Sequence, residues 1–407
     1  MGTLSELYSN NMSLMLNALQ AQGTLARHEL ADITGLTRTT VSRAIADLVD
    51  KGVVLEVDYG QASSRGGRKP IRLQLNDDAF CMIGLDLRRE KVNGCLVRLG
   101  GQSESEISRP IPHNPSQTIV LDTLHEVVEE LRNAASLPVM GIGLGAIGHV
   151  NPSTGIFKPY NFESMYGVPL QDVLTQRHRL PVSVRSGAGA AAIGEVFARE
   201  QKGIAVQSLA FVMIDYGGLG LGMMSEGVSW TGKDGMSEFG HTVIDYNGRL
   251  CDCGRRGCLT VYASGRAMLK RLAELAGQEL PNVQLDQLVA LAESGDSPAQ
   301  QALTEAGFYL GYGINDIDCI MHPEYIVLGS SHPGLADWYM RGLLQNIHES
   351  GPNIFDDNLT ERIMLTDKGS FAIAYGAAAM QIDHFFKAPV SIVEQLPPAT
   401  HIIQFAR

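Results

Sequence analysis

The chain has 407 residues, enough for two or three domains, and its 44% apolar and 19% charged content is that of a globular protein with a large core. A net charge of −12 argues against a protein that coats nucleic acid, and no apolar run approaches the about 20 residues a membrane helix needs, so no membrane insertion is expected. The charge is uneven: residues 1–75 are close to balanced, so a near-neutral head sits on an acidic body, which suits a small DNA reader attached to something else.

Residues 10–22 place Met12, Met15, Leu16 and Leu19 at helical spacing, and Gly23 ends that helix. A second short helix is expected over about residues 27–34, with Leu30 and Ile33 inward. After the Gly35-Leu36 turn, Thr37 can cap a third helix, Arg38–Asp50, with Val41, Ile45 and Leu48 on its apolar face. Helix, glycine turn and helix form a helix-turn-helix pattern. Arg38, Thr39, Thr40, Ser42 and Arg43 lie near the start of the third helix, the end a recognition helix presents to bases and phosphates. Two strands, Val53–Val57 and Ile71–Leu75, flank a stretch with Arg65, Arg68 and Lys69 among glycines. A basic hairpin tip after a helix-turn-helix reads as the wing of a winged helix, touching double-stranded DNA.

From Phe80 the texture changes. CMIGLDL and NGCLVRLG read as two strands around Arg88-Arg89, and LAFVMIDYGGLGLGMMSEG repeats that plan around Asp215. Two such units about 128 residues apart predict a duplicated, two-lobed α/β body. Between them come a helix (Thr118–Ala134), a buried strand (VMGIGLGAIG), a second strand (PVSVR) and an alanine-rich helix, Ala188–Glu200. Helices at Ser264–Ala276, Leu285–Ala292 and Pro298–Ile317, the strand YIVLGS and a closing helix, Ile373–Phe386, follow. The segment from Lys387 onward has no assignable element.

His241 is followed by Cys251, Cys253 and Cys258. One imidazole and three thiolates are the ligands of a tetrahedral structural zinc, and Gly254 and Gly257 let the chain curl so that Cys258 closes the site. No signal-like segment opens the sequence, so metal is expected rather than a disulfide, in a cytoplasmic protein.

Glu238-Phe239-Gly240-His241, then C-x-C-G-x-x-G-C and Leu259, resembles the signature of the ROK family of repressors and sugar kinases, and nearly the whole chain can be laid on its repressor branch. The GGRKP run resembles the one that follows the winged helix there. The resemblance implies an actin/hexokinase-like body with a zinc knuckle beside a sugar pocket, in which Asn161, Glu238 and His241 contact the sugar. It implies domains at 1–76 (winged helix), 77–195 with 376–407 (first lobe), and 196–375 (second lobe, with the zinc).

The family's kinase chemistry is missing. Where its kinases carry Gly-Gly-Thr in the first phosphate turn, this chain has Arg88-Arg89-Glu90. Side chains there block the close backbone approach that glycine allows. Gly187 stands where the catalytic aspartate belongs, and Thr260 replaces a sugar-binding glutamate after Cys258-Leu259. The expected function is a non-enzymatic repressor of carbohydrate genes. It would bind an inverted-repeat operator as a homodimer or higher homo-oligomer and respond to a sugar, a sugar phosphate or a transporter-subunit partner. The alternatives are a sugar kinase with a DNA-binding head, or a regulator controlled by a protein partner alone.

Overall fold

The computed structural model describes residues 4–59, 70–151, 153–159, 162–235, 237–280, 283–330, 332, 334–350 and 358–399. The head opens with α1 (Leu4–Gln22), which starts earlier than the apolar spacing indicates and buries Met12, Met15, Leu16 and Leu19. A two-residue strand, β1 (Leu25–Ala26), leads into α2 (Arg27–Thr34), stopped by left-handed Gly35. In α2 the core is filled by Leu30 and Ala31; Ile33, expected inward, is exposed. The third helix, α3 (Arg38–Asp50), is capped by the Thr37 hydroxyl, which accepts from the Thr40 N–H at 3.2 Å. Its Val41, Ile45 and Leu48 are buried as expected. Strands β2 (Val54–Tyr59) and β3 (Ile71–Leu75) pair antiparallel, and β1 adds to β3, giving the order β1-β3-β2. Three helices with a three-stranded sheet make the winged-helix head.

The first lobe begins as an antiparallel meander of β4 (Cys81–Leu87), β5 (Lys91–Arg98) and β6 (Ser103–Pro110). After α4 (Gln117–Ala134), β7 (Val139–Ala146) joins parallel to β4. A small excursion of β8 (His149–Val150), β9 (Ile156–Lys158) and β10 (Val168–Pro169) precedes α5 (Leu170–His178), and β11 (Val182–Ser186) lies parallel to β7. The helix α6 (Gly187–Glu200) then crosses to the second lobe.

The second lobe repeats the plan. Strands β12 (Ser208–Ile214), β13 (Leu219–Ser225) and β14 (Val228–Trp230) form the meander. Four helices follow: α7 (Thr260–Ala263), α8 (Gly265–Ala276), α9 (Leu285–Glu293) and α10 (Ser297–Met321). Then come β15 (Tyr325–Ser330), α11 (Leu335–Ser350), α12 (Leu359–Arg362) and β16 (Ile363–Leu365). Strand orders β6-β5-β4-β7-β11 and β14-β13-β12-β15-β16 are the same topology, with the fourth and fifth strands parallel to the first in each sheet. The predicted duplication is therefore present, and Asp86 and Asp215 stand at matching strand ends. Among the described residues no helix is long and apolar enough to cross a membrane.

The chain closes with α13 (Ala372–Lys387), which packs on β4 and β7, and α14 (Val390–Val393). Helices α13 and α6 also pack on each other, so they link the two sheets. A Cβ at Gly376 would lie 2.0 Å from the Ala190 carbonyl oxygen, so only glycine permits this approach. The tail that the sequence leaves unassigned runs back to the head. Ile392, Val393 and Leu396 are buried in the same apolar cluster as Met12, Leu16 and Leu48. Lys51 Nζ donates to the Leu396 carbonyl at 2.7 Å, and the Ala399 N–H donates to the Asp50 carbonyl at 2.7 Å.

Candidate functional site

Thr242 to Leu259 form a knuckle built almost wholly from turns. Val243 bridges to Cys258 and Leu250 to Arg256, and the Cys251 N–H donates to the Arg255 carbonyl at 2.8 Å. Gly254 and Gly257 have φ of +87° and +71°, and a Cβ at Gly257 would fall 1.5 Å from the Asp245 carbonyl oxygen. The curl expected of these glycines is thus present. It brings the ligand atoms of His241, Cys251, Cys253 and Cys258 within 4.8 Å of one another. Cys251 Sγ lies 3.6 Å from His241 Nδ1, and Cys253 Sγ lies 3.6 Å from Cys258 Sγ. Those separations match the edges of a tetrahedron with about 2.0–2.3 Å from its centre to N and S. Hydrogen bonds from Arg255 lower the exposed Cys253 thiol to about 6, while burial pushes Cys258 up to about 12. The donor set fits a metal that would displace the remaining thiol protons.

His241 has a second partner on its other side. With Nδ1 toward the thiols, its Nε2 lies 3.8 Å from Glu238 Oε2. Glu238 and His241, which the resemblance expects to contact a sugar, therefore lie side by side, with one imidazole between the thiols and the carboxylate. His149 of β8, which sequence reasoning missed, completes the group: its Nε2 is 2.6 Å from Glu238 Oε1. His149 belongs to the first lobe and Glu238 to the second, so this pair spans the cleft. Asn161, the third predicted sugar contact, lies outside the described residues.

Deeper in the cleft, Arg88 is only 1% exposed. Its Nε donates to Asp86 at 2.6 Å and its Nη1 to Asp215 at 3.0 Å. Beyond the obstruction that the sequence assigns to it, Arg88 is a cation shared by acids of both lobes. In β13, a Cβ at Gly222 would sit 2.0 Å from the Ala188 carbonyl oxygen, so that glycine serves the packing of β13 on α6. Gly187 is buried, and its Cβ would point at Ile373 Cδ1, 2.7 Å away. Thr260 is likewise buried. Both positions that the resemblance gives to carboxylates are therefore buried.

On the head, Arg38, Thr39, Ser42 and Arg43 are exposed along α3, and Thr40 is half-buried beside its cap. Arg43 stacks over the Tyr8 ring, 5.6 Å from its centroid, and Tyr8 in turn bonds Asp47. That contact holds the guanidinium against α1. Arg65, Arg68 and Lys69 lie outside the described residues.

Two family descriptions match the chain: the ROK family over residues 82–384, and a winged helix-turn-helix DNA-binding unit over residues 14–54. It is similar to the xylose repressor of Bacillus subtilis (strain 168), 28% identical over 385 residues, covering 92% of this chain and 95% of the relative. It is also similar to the DNA-binding transcriptional dual regulator NagC of Escherichia coli (strain K12), 25% identical over 334 residues, 78% of this chain and 79% of that one. Among solved structures, a ROK family transcriptional regulator homologous to the Escherichia coli MLC protein superposes with a TM-score of 0.77, covering 96% of this chain and all of the other at 24% identity. A ROK glucokinase from Streptomyces griseus, solved with glucose and AMPPNP, superposes with a TM-score of 0.62 over 74% of this chain and 98% of its own, also at 24% identity.

Proposed function

The chain belongs to the ROK family, and on that premise we propose that it is a transcriptional repressor of carbohydrate uptake or metabolism genes, a regulator and not an enzyme. The observation that carries this reading is a winged helix joined to a body in which Arg88 is buried in an ion pair with Asp86 and Asp215. Its guanidinium is buried between Asp86 and Asp215, at a position where the resemblance gives the family's kinases a glycine of the first phosphate turn.

The effector we propose is a monosaccharide or its phosphate, bound at Glu238 and His241 with Asn161. Relatives named for xylose and N-acetylglucosamine support that class. We further infer a structural zinc on His241, Cys251, Cys253 and Cys258; bound there, it would fix the knuckle and, through His241, the pocket. The operator is proposed to be an inverted repeat read by a cytoplasmic dimer or higher homo-oligomer, with Arg38, Thr39, Thr40, Ser42 and Arg43 toward the groove and Arg65, Arg68 and Lys69 on the backbone. The working domain division is 1–76, 77–195 with 376–407, and 196–375.

Calorimetry with a panel of pentoses, hexoses and their phosphates tests the effector. One compound should bind the wild type, and Glu238→Gln should weaken it at least tenfold, the scale of a lost hydrogen bond to a charged group, about 1.5–3 kcal/mol. The second reading is control by a protein such as a transporter subunit. It gains if no sugar binds and operator binding stays intact.

A further inference from the structure

A second cluster of ligand-type side chains lies beside Arg88, apart from the knuckle. Glu90 follows β4, Asp215 follows β12 and His332 follows β15, and their ligand atoms all lie within 4.8 Å of one another. We propose that Glu90, Asp215 and His332 bind a first-row divalent cation that ties the two lobes together.

His332 makes the strongest case. Its Nδ1 lies 2.7 Å from Asp286 Oδ1 of α9, while its Nε2 is buried and has no hydrogen-bond partner among the described residues. A carboxylate on Nδ1 fixes the tautomer that leaves a lone pair on Nε2, the arrangement seen behind metal-binding histidines. A buried nitrogen with no partner otherwise loses a hydrogen bond for nothing.

Asp215 is held for the same purpose. Its Oδ2 accepts from Arg88 at 3.0 Å and its Oδ1 from the Tyr216 N–H at 2.7 Å, which orients the carboxylate and leaves further lone pairs. Glu90 reaches in from the opposite lobe. Charge points the same way: the carboxylates of Asp86, Glu90 and Asp215 all act on the Arg88 guanidinium, and besides Arg88 the groups of positive sign acting on Glu90 are His332 and Lys91. One imidazole and two carboxylates, with water completing the sphere, suit Mn²⁺ or Co²⁺, whereas the thiolates of the knuckle select zinc.

The test uses full-length protein with its knuckle metal retained. Manganese is titrated and the loss of the free-ion EPR signal recorded, with cobalt absorption as a second probe. Wild type should take up one ion per chain beyond the knuckle metal. Glu90→Gln and His332→Ala should each weaken uptake at least tenfold, and Asp286→Asn should weaken it less. Glu90 is exposed, so its variant tests the site even if His332→Ala fails to fold. No uptake of either ion, or uptake unchanged in Glu90→Gln, would overturn the proposal.

Discussion

Arg88 of the first lobe donates to Asp215 of the second across 3.0 Å while its Nε is held by Asp86, and Arg88 and Asp86 are buried. The two acids stand at equivalent ends of duplicated strands, and a single guanidinium bridges the symmetry-related pair. Removing one partner from a buried ion pair strands the other charge and costs about 3–5 kcal/mol. Arg88→Ala should therefore lose stability on that scale in urea unfolding. A loss below about 1 kcal/mol would mean that water already reaches Asp86.

No ATP-dependent phosphorylation of any sugar is expected. General acid–base catalysis alone contributes about 10²–10⁴-fold, and the base position is Gly187. Gly187→Asp should not create activity, because its new side chain starts against Ile373 and Arg88 stays buried in its ion pair with Asp86 and Asp215. A coupled assay showing turnover well above background in the wild type would refute the regulator reading.

The knuckle has few backbone ladders of its own, so metal should supply much of its folding energy. Elemental analysis of protein purified without chelator should find zinc at one per chain, and Cys258→Ala should lower that content. Because His241 faces both the thiols and Glu238, the same variant should also weaken sugar binding. Zinc loss with sugar affinity unchanged would uncouple the two sites.

The tail predicts a link between body and head. Leu396→Asp places a charge in the cluster shared with α1 and α3, and should weaken operator binding while leaving effector binding intact. Anisotropy with labelled operator and calorimetry with the sugar separate the two effects. Equal operator affinity in the variant would show that the head is held without the tail.

Much of this was legible in the sequence because it is local. The apolar spacing of Met12, Met15, Leu16 and Leu19, the glycines of the knuckle and the repeated strand–acid–turn units each reside in one short window. What escaped depends on contacts across long separations. The ion pair of Arg88 is invisible in the sequence because its partner Asp215 is 127 residues away. His149 is an isolated histidine until the lobes meet at Glu238. The edge strand β6 has a charged, mostly exposed pattern, and Ile33 is apolar but faces outward; neither can be told from composition alone. The last described residues form no long element, so only their packing on Lys51 and Asp50 reveals them.

Operator binding as a function of sugar is the most direct test of the whole proposal. DNA from the region upstream of the chain's own gene is titrated against full-length protein by fluorescence anisotropy at several salt concentrations, with and without the sugar found by calorimetry. The expected result is sequence-specific binding that the sugar weakens at least tenfold, with Arg38→Ala reducing discrimination against scrambled DNA. Arg68→Ala and Lys69→Ala should each lower affinity for all sequences and reduce the salt slope by about one. Equal affinity for scrambled and native DNA, or wild-type salt slopes in both basic variants together with no response to any sugar, would refute it.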